Sequence, residues 1–451
     1  MHMTSIRKNP ALRRAAFIVA ATALVGGSLV ACSSGSTDGA AAGSADDLEA
    51  ALEQGGEITY WSWTPSAEAQ VAAFEEAYPN VTVNLVNAGT NTEEYTKLQN
   101  AIKAGSGAPD VVQIEYYAFP QFALTDGLLD LSSYGFGDLE GDYTASTWNS
   151  VDFDGKIYGL PQDSGPMAMF YNKSVFDQYG LTVPTTWDEY VAAGKALTAA
   201  DPSKHIAADT GDSGFATSMI WQAGGQPFQV DGTNVTIDLS DEGSQKWADT
   251  WNQLVDNDLL AETPSWTDEW FKGLGDGSIA TLVTGAWMPG VLESSVADGA
   301  GDWRVAPIPT YDGTPVTAEN GGGGQAVTKQ SKNPALAAAF LKWLNNDDAS
   351  LQIFAESGGF PSTTAQLSSD DFVNLESDYF GGQKINEVLT AAAGEVREGW
   401  SYLPFQVYAN SIFADTVGQS YASQGDLNEG LSTWQEQLVE YGNSQGFTVN
   451  Q

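Results

Sequence analysis

The chain has 451 residues, with 18 Lys and Arg against 58 Asp and Glu, and a formal charge of −40 at pH 7. Such a surface repels nucleic acid and anionic lipid, which excludes both as expected partners, whereas a neutral ligand is indifferent to the field. Aromatic residues make up 11%, with 14 Trp and 17 Tyr, enough to pack a core and leave flat side chains over for binding.

Arg7, Lys8, Arg13 and Arg14 precede an uncharged stretch from Ala15 to Ala31, which ends at Leu29-Val30-Ala31-Cys32. A basic start, an apolar middle and a small-residue exit form a secretion signal rather than a spanning helix, and Gly26 and Gly27 weaken the helix further. Leu-Val-Ala-Cys resembles the bacterial lipobox, which implies a signal peptide over 1–31 and lipidation of Cys32. That residue is the single cysteine, so no intramolecular disulfide can form, and acylation accounts for an odd thiol in an exported chain. Stable anchoring takes more than one acyl chain. Residues 32–56 read as a lipidated flexible tether, Ser-, Gly-, Ala- and Asp-rich at its start. Loss of the leader removes four basic residues and leaves 14 against 58 acidic, a charge of −44. The remaining roughly four hundred residues exceed one ordinary core and point to two domains.

From Glu57 the pattern becomes regular. Ile58 to Trp63 is a short strand closed by Thr64-Pro65, and Ser66 is placed to cap a helix whose Val71, Phe74 and Tyr78 share a face. Val81, Val83 and Leu85 alternate as a second strand; Tyr95, Leu98 and Ile102 mark a second helix, closed by Gly105 to Pro109. Val111, Val112 and Ile114 form a third strand, completing a βαβαβ unit that requires a parallel sheet. A second α/β region begins near Tyr158. Thr186-Trp187-Asp188-Glu189 is a capping box opening a helix through Leu197. Trp247, Trp251, Leu254 and Val255 mark another helix, Ser265 to Phe271 a short one, and Ile279 to Val283 a buried strand. Gly321 to Gly324 is expected to be irregular, Asn333-Pro334 to start a strong helix, and the chain beyond Asp370 to alternate helices with Gly-rich breaks.

These segments, in this order, resemble family 1 extracellular solute-binding proteins, the substrate-binding lipoproteins of ABC sugar transporters of the maltose- and oligosaccharide-binding type. The residues that carry the likeness are Ile58-Thr59-Tyr60-Trp61-Ser62-Trp63, Ala108-Pro109-Asp110-Val111-Val112, Asp154 to Pro161, and Phe170-Tyr171-Asn172-Lys173. Pro184 to Glu189, Gly285-Ala286-Trp287 and Gly322 to Val327 complete it. The resemblance covers nearly the whole chain after the leader. It implies an α/β, two-lobed periplasmic-binding-protein-like fold of type II, with a hinge of two or three crossing segments. By analogy 57–161 plus 320–361 form the N-terminal lobe, and 162–319 plus 362–451 the C-terminal lobe. It further implies a monomer on the extracellular face of the cell membrane that captures a neutral oligosaccharide between the lobes and delivers it to ABC permease subunits, with no cofactor and no metal.

A sugar presents hydroxyls and apolar C–H faces, so a selective cleft needs flat aromatics and Asp, Glu, Asn or Gln side chains at strand ends and crossover loops. Trp63 follows the first strand, Glu115, Tyr116 and Tyr117 the third, Asp163 lies in the crossing loop, and Trp287 follows the buried strand. Trp221, Trp270 and Trp400 adjoin loop or Gly-rich segments and join the candidates; Gly322 and Gly323 are expected to let backbone approach the ligand or the other lobe. Trp187, Trp247, Trp251 and Trp343 sit on amphipathic helices and are expected in the core.

Catalytic readings are weaker. Gly211-Asp212-Ser213-Gly214 resembles a serine-protease loop, but the one histidine after the leader, His205, lies too close upstream for that triad. No His/Cys cluster suits zinc, and Asp152-Phe153-Asp154-Gly155 is a fragment of a calcium loop that reads as a turn. A secreted glycoside hydrolase using paired carboxylates is the alternative that composition leaves open, and the order of segments favours the binding family.

Overall fold

The computed structural model describes residues 43–451; the leader and Cys32 lie outside the described residues. Eight strands build the two sheets that frame the site: β1 (Gly56–Trp61), β2 (Val81–Val86), β3 (Val111–Glu115), β4 (Leu160–Pro161), β5 (Met167–Asn172), β6 (Thr281–Gly285), β7 (Trp303–Pro307) and β8 (Gly323–Val327). The first sheet runs β2-β1-β3-β8-β4. β1 pairs parallel with β2 and β3 because helices Ala67–Ala77 and Thr92–Ala104 carry the chain back between them. β8 arrives from far along the chain and inserts antiparallel between β3 and β4. Beneath the sheet, Phe74 stands 4.8 Å from Phe340 and 5.1 Å from Trp343, so the Pro334–Asn346 helix closes this core.

The second sheet, β6-β5-β7, is antiparallel throughout. Side chains alternate along β5: Met167 and Met169 enter one core, Ala168 and Phe170 the other, so both faces are covered. The first of these cores holds the expected Trp187, Trp247 and Trp251, with Trp187 and Trp251 edge to face at 5.4 Å. Thr186 and Glu189 form the expected capping box, each side chain accepting the other's backbone N–H at 3.3 Å. The molecule thus has two α/β lobes, and three segments pass between them near Gln162–Pro166, Ala318–Gly322 and Phe360–Thr363. They are stitched together: Asn320 N–H donates to the Gly165 carbonyl at 2.8 Å, Ser164 N–H to that of Phe360 at 3.1 Å, and Asp163 bridges Pro361.

Five local expectations need correction. The tether ends sooner than residue 56, because Ala45–Gln54 is a helix whose Leu48 is buried in the core of the first sheet, with Phe74 and Phe340, and whose start is tied by Ser44 donating twice to Asp47, at 2.7 and 2.9 Å. Ser66 does not cap its helix; its own backbone is helical and its hydroxyl donates to Gln70 at 2.9 Å. The helix expected from Ser265 starts at Asp268, capped by Thr267, and the strand expected from Ile279 starts at Thr281. Gly323 and Gly324 are regular structure. A Cβ on Gly324 would lie 2.2 Å from the Leu160 carbonyl oxygen, and one on Gly323 2.7 Å from that of Ile114, so here glycine lets three strands approach closely. Asp152 to Gly155 is a hairpin turn, with φ 56° at Asp154 and 75° at Gly155. Among the described residues no helix is long and apolar enough to cross a membrane.

Candidate functional site

The loop after β1 is organised by one side chain of β3. Gln113 Oε1 accepts from Ser62 Oγ at 2.7 Å, Trp63 N at 3.1 Å, Thr64 N at 3.2 Å and Thr64 Oγ1 at 2.8 Å, which holds half-buried Trp63 on the wall of the space between the lobes. Glu115 ends the same strand. Its Oε2 accepts from Tyr95 OH at 3.0 Å, and the Asn91 amide faces it. Burial pushes its carboxyl up to about 7, with the charges of Asp163 and Asp212 acting in the same direction. Asp163, on the first crossing segment, accepts from Gly323 N–H at 2.6 Å, and burial lifts it to about 6 against the pull of that bond.

The second lobe faces these groups with its own carboxylates and aromatics. Asp209 accepts from Trp251 Nε1, Tyr421 OH and Gly211 N, each at 2.9 Å, and burial raises its pKa. Asp212 caps the Ser213–Gln222 helix by accepting from Phe215 N at 2.7 Å, presenting the first turns of that helix to the cleft. Trp287 donates through Nε1 to the Asn320 carbonyl at 2.7 Å, tying this ring to the second crossing segment. Below the cleft floor, Glu319 accepts from Ser146 Oγ at 2.7 Å and Gly165 N at 2.5 Å, and burial pushes it up to about 7.

These residues enclose a cleft of about 1190 Å³. Of the sequence candidates, Trp63, Glu115, Tyr117, Asp163, Trp270, Trp287, Gly322 and Gly323 line it, together with the unforeseen Asn91, Asp209, Asp212, Trp266, Asn320, Tyr402 and Asn410. Its lining contains carboxylates, amides, hydroxyls and indoles, and no Lys, Arg or His. Trp270 contributes little surface, being 2% exposed under Trp266 and Phe271. Gly322 is at φ 86°, and a Cβ there would meet the Tyr116 ring at 2.9 Å, so its smallness serves the packing of the crossing segments.

Tyr116, Trp221 and Trp400 are placed elsewhere. All three border a second cavity of about 690 Å³. After β3 the chain enters a tight 3₁₀ turn, which sends Tyr116 away from its neighbours Glu115 and Tyr117, with its OH donating to the Asp163 carbonyl at 2.7 Å. Trp221 is at the far end of the helix whose start meets the cleft; it is buried, stacks on Trp400 at 5.3 Å and 9°, and donates to the Arg397 carbonyl at 2.6 Å. Among the described residues no cluster of three His, Cys, Asp or Glu side chains could hold a metal ion.

Two α/β lobes, three crossing segments and a polar, aromatic cleft between them define a two-lobed binding protein. The family model for bacterial extracellular solute-binding proteins matches residues 60–350, and the chain belongs to that family. Its structure is similar to that of the ABC-transporter-associated binding protein from B. animalis subsp. lactis Bl-04, solved with β-1,6-galactobiose: 45% identity, TM-score 0.80, covering 88% of this chain and 99% of that one. The galacto-N-biose-/lacto-N-biose I-binding protein of an ABC transporter from Bifidobacterium longum, solved with lacto-N-biose, is 27% identical, with TM-score 0.78 over 88% and 99% of the chains. In sequence, the arabinooligosaccharide-binding protein of Halalkalibacterium halodurans is 26% identical over 395 residues, 83% of this chain and 86% of that protein.

Proposed function

We propose that this protein captures a short neutral oligosaccharide with β-linked galactose in the cleft between its lobes and delivers it to the permease of an ABC importer. The observation that carries the reading is the cleft lining, in which Trp63, Tyr117 and Trp287 offer flat apolar faces beside Glu115, Asp163, Asn320 and Asn410, without one basic side chain. Aromatic faces take the C–H surface of a pyranose, carboxylates and amides take its hydroxyls, and the absence of basic groups suits an uncharged ligand. The β-1,6-galactobiose bound by the 45% identical relative supports the galactoside class.

In this reading the moving bodies are 57–161 with 320–361 and 162–319 with 362–451, rotating about the three crossing segments. A ligand favours closure only because it touches both. The protein acts as a monomer with no catalytic step, held at the outer face of the membrane by acyl chains on Cys32. A Cys32→Ser variant is then expected in the culture fluid rather than the membrane fraction; retention on the membrane would remove the anchor from this account.

The central test is a thermal-shift screen of the mature chain against galactobioses, lacto-N-biose, arabino-oligosaccharides and maltodextrins, with a parallel assay for new reducing ends. A ligand at a hundredfold over its Kd adds about 2.7 kcal/mol, a rise of a few degrees for a chain this size. A shift confined to galactosides, without cleavage, is the expected result. Cleavage with turnover would replace the receptor with a hydrolase, and a response to maltodextrins alone would change the cargo.

A further inference from the structure

Trp266 was absent from the sequence candidates, yet it combines two features that a fold does not keep without reason. Its side chain is 53% exposed, and its backbone sits at φ 68°, a conformation that a bulky side chain rarely adopts. The local chain explains how it is held there. Thr267 donates through Oγ1 to the Pro264 carbonyl at 2.9 Å and accepts from Trp270 N at 3.3 Å, so the helix cap fixes the residue after Trp266. The indole stacks on Trp287 at 5.8 Å and 25° and leans on Trp270 at 5.4 Å. Trp287 in turn is bonded to the Asn320 carbonyl, so the ring beneath Trp266 is immobilised on a crossing segment.

We infer that Trp266 is a specificity-determining side chain of the cleft, whose free indole face receives the second sugar ring of the ligand and so sets a preference for disaccharides and longer chains over monosaccharides. The inference rests on the oligosaccharide reading above and adds to it a subsite on the second lobe. Glu115, Asp163 and Trp63 belong to the first lobe and the crossing segment, and they are half-buried; Trp266 stands on the opposite lobe at the solvent rim. In this inference a first ring is held among the carboxylates and a second ring reaches the rim at Trp266. A pyranose with its C–H groups on one face is the flat apolar partner that a half-covered indole lacks.

The test compares Trp266→Ala, Trp266→Gly and Trp266→Phe in the mature chain, titrated calorimetrically with β-1,6-galactobiose and with galactose, alongside melting temperatures. Trp266→Ala and Trp266→Gly are expected to weaken galactobiose about tenfold while changing galactose less than about twofold. Trp266→Phe is expected to retain most of the affinity. Trp266→Gly should melt no lower than the parent, since glycine accepts the positive φ freely. Equal losses for the two sugars, or a melting temperature that falls with the affinity, would make Trp266 a packing residue and overturn the inference. Unchanged galactobiose affinity in Trp266→Ala would overturn it as well. Failure of the parent protein to bind any neutral saccharide is a different result, which removes the oligosaccharide reading itself.

Discussion

A galactobiose carrying one carboxylate is expected to bind at least about a hundredfold more weakly than the neutral sugar at about pH 8. Glu115, Asp163, Asp209 and Asp212 all border the cleft, and no Lys, Arg or His in its lining answers an added negative charge. Two like charges about 6 Å apart repel by roughly 3 kcal/mol at an effective dielectric constant of about 20, which is about a hundredfold for a single pair. The discrimination depends on pH. Burial holds Glu115 at about 7 and Asp163 at about 6, so both are largely protonated at about pH 5 and ionised at about pH 8. The ratio of neutral to acidic affinity should therefore widen as pH rises. Calorimetric titration with both sugars at the two pH values measures it, and comparable affinities at the higher one would contradict this account of the cleft.

Folding stability is expected to fall between about pH 5 and pH 8, and Glu319→Gln is expected to remove about 3 kcal/mol of that fall. Glu319 is 3% exposed, and burial raises its carboxyl from 4.5 to about 7. Between those values the folded chain holds a proton that the unfolded chain has released. The stabilisation is thus fully present below pH 4.5 and is lost as pH climbs through about 7. Glu115 and Asp163 act in the same direction, whereas Asp201, lowered to about 2, influences only more acidic solutions. Glutamine copies the protonated form: its carbonyl oxygen can accept from Gly165 N–H while its amide donates to Ser146 Oγ, the two partners of the native side chain. Denaturant titrations of both proteins across this range give the slopes. A variant as pH-dependent as the parent would show that Glu319 is ionised throughout.

Much of both lobes was legible because their elements declare themselves locally. Val81, Val83 and Leu85 alternate, Thr186 and Glu189 stand at capping-box spacing, and Phe340 and Leu344 repeat on one helix face, each a pattern carried by side chains. Gly323 and Gly324 carry no such pattern, since what makes them a strand is the closeness of β3 and β4, which only the assembled sheet contains. The helix at Ala45 escaped because it buries a single leucine.

The cleft shows the same division. Trp63, Glu115, Asp163 and Trp287 follow strand ends or crossings, where residue position alone implies exposure to the space between lobes. Tyr116 and Tyr117 could not be told apart, because the alternation that would assign their sides stops at Glu115. Asp212 stands in a protease-like sequence neighbourhood, yet its place on the cleft comes from capping a helix that starts there. Asp209 and Trp266 come from loops fixed by contacts distant in sequence, Asp209 to Trp251 and Tyr421 and Trp266 to Trp287, which no local pattern announces.

The insertion of β8 between β3 and β4 also bears on how the chain leaves the cell that makes it. Between Glu115 and Gly323 lie roughly 200 residues, which take about 10 to 40 s to synthesise at typical elongation rates. Until that interval has passed, the first sheet lacks an internal strand and the facing edges of β3 and β4 are unpaired, however well its βαβαβ unit is formed. Pairings so distant in sequence also form slowly once available. A polypeptide destined for a translocation channel gains from this delay, because a native state that needs its own late segments cannot close before the early ones have been threaded.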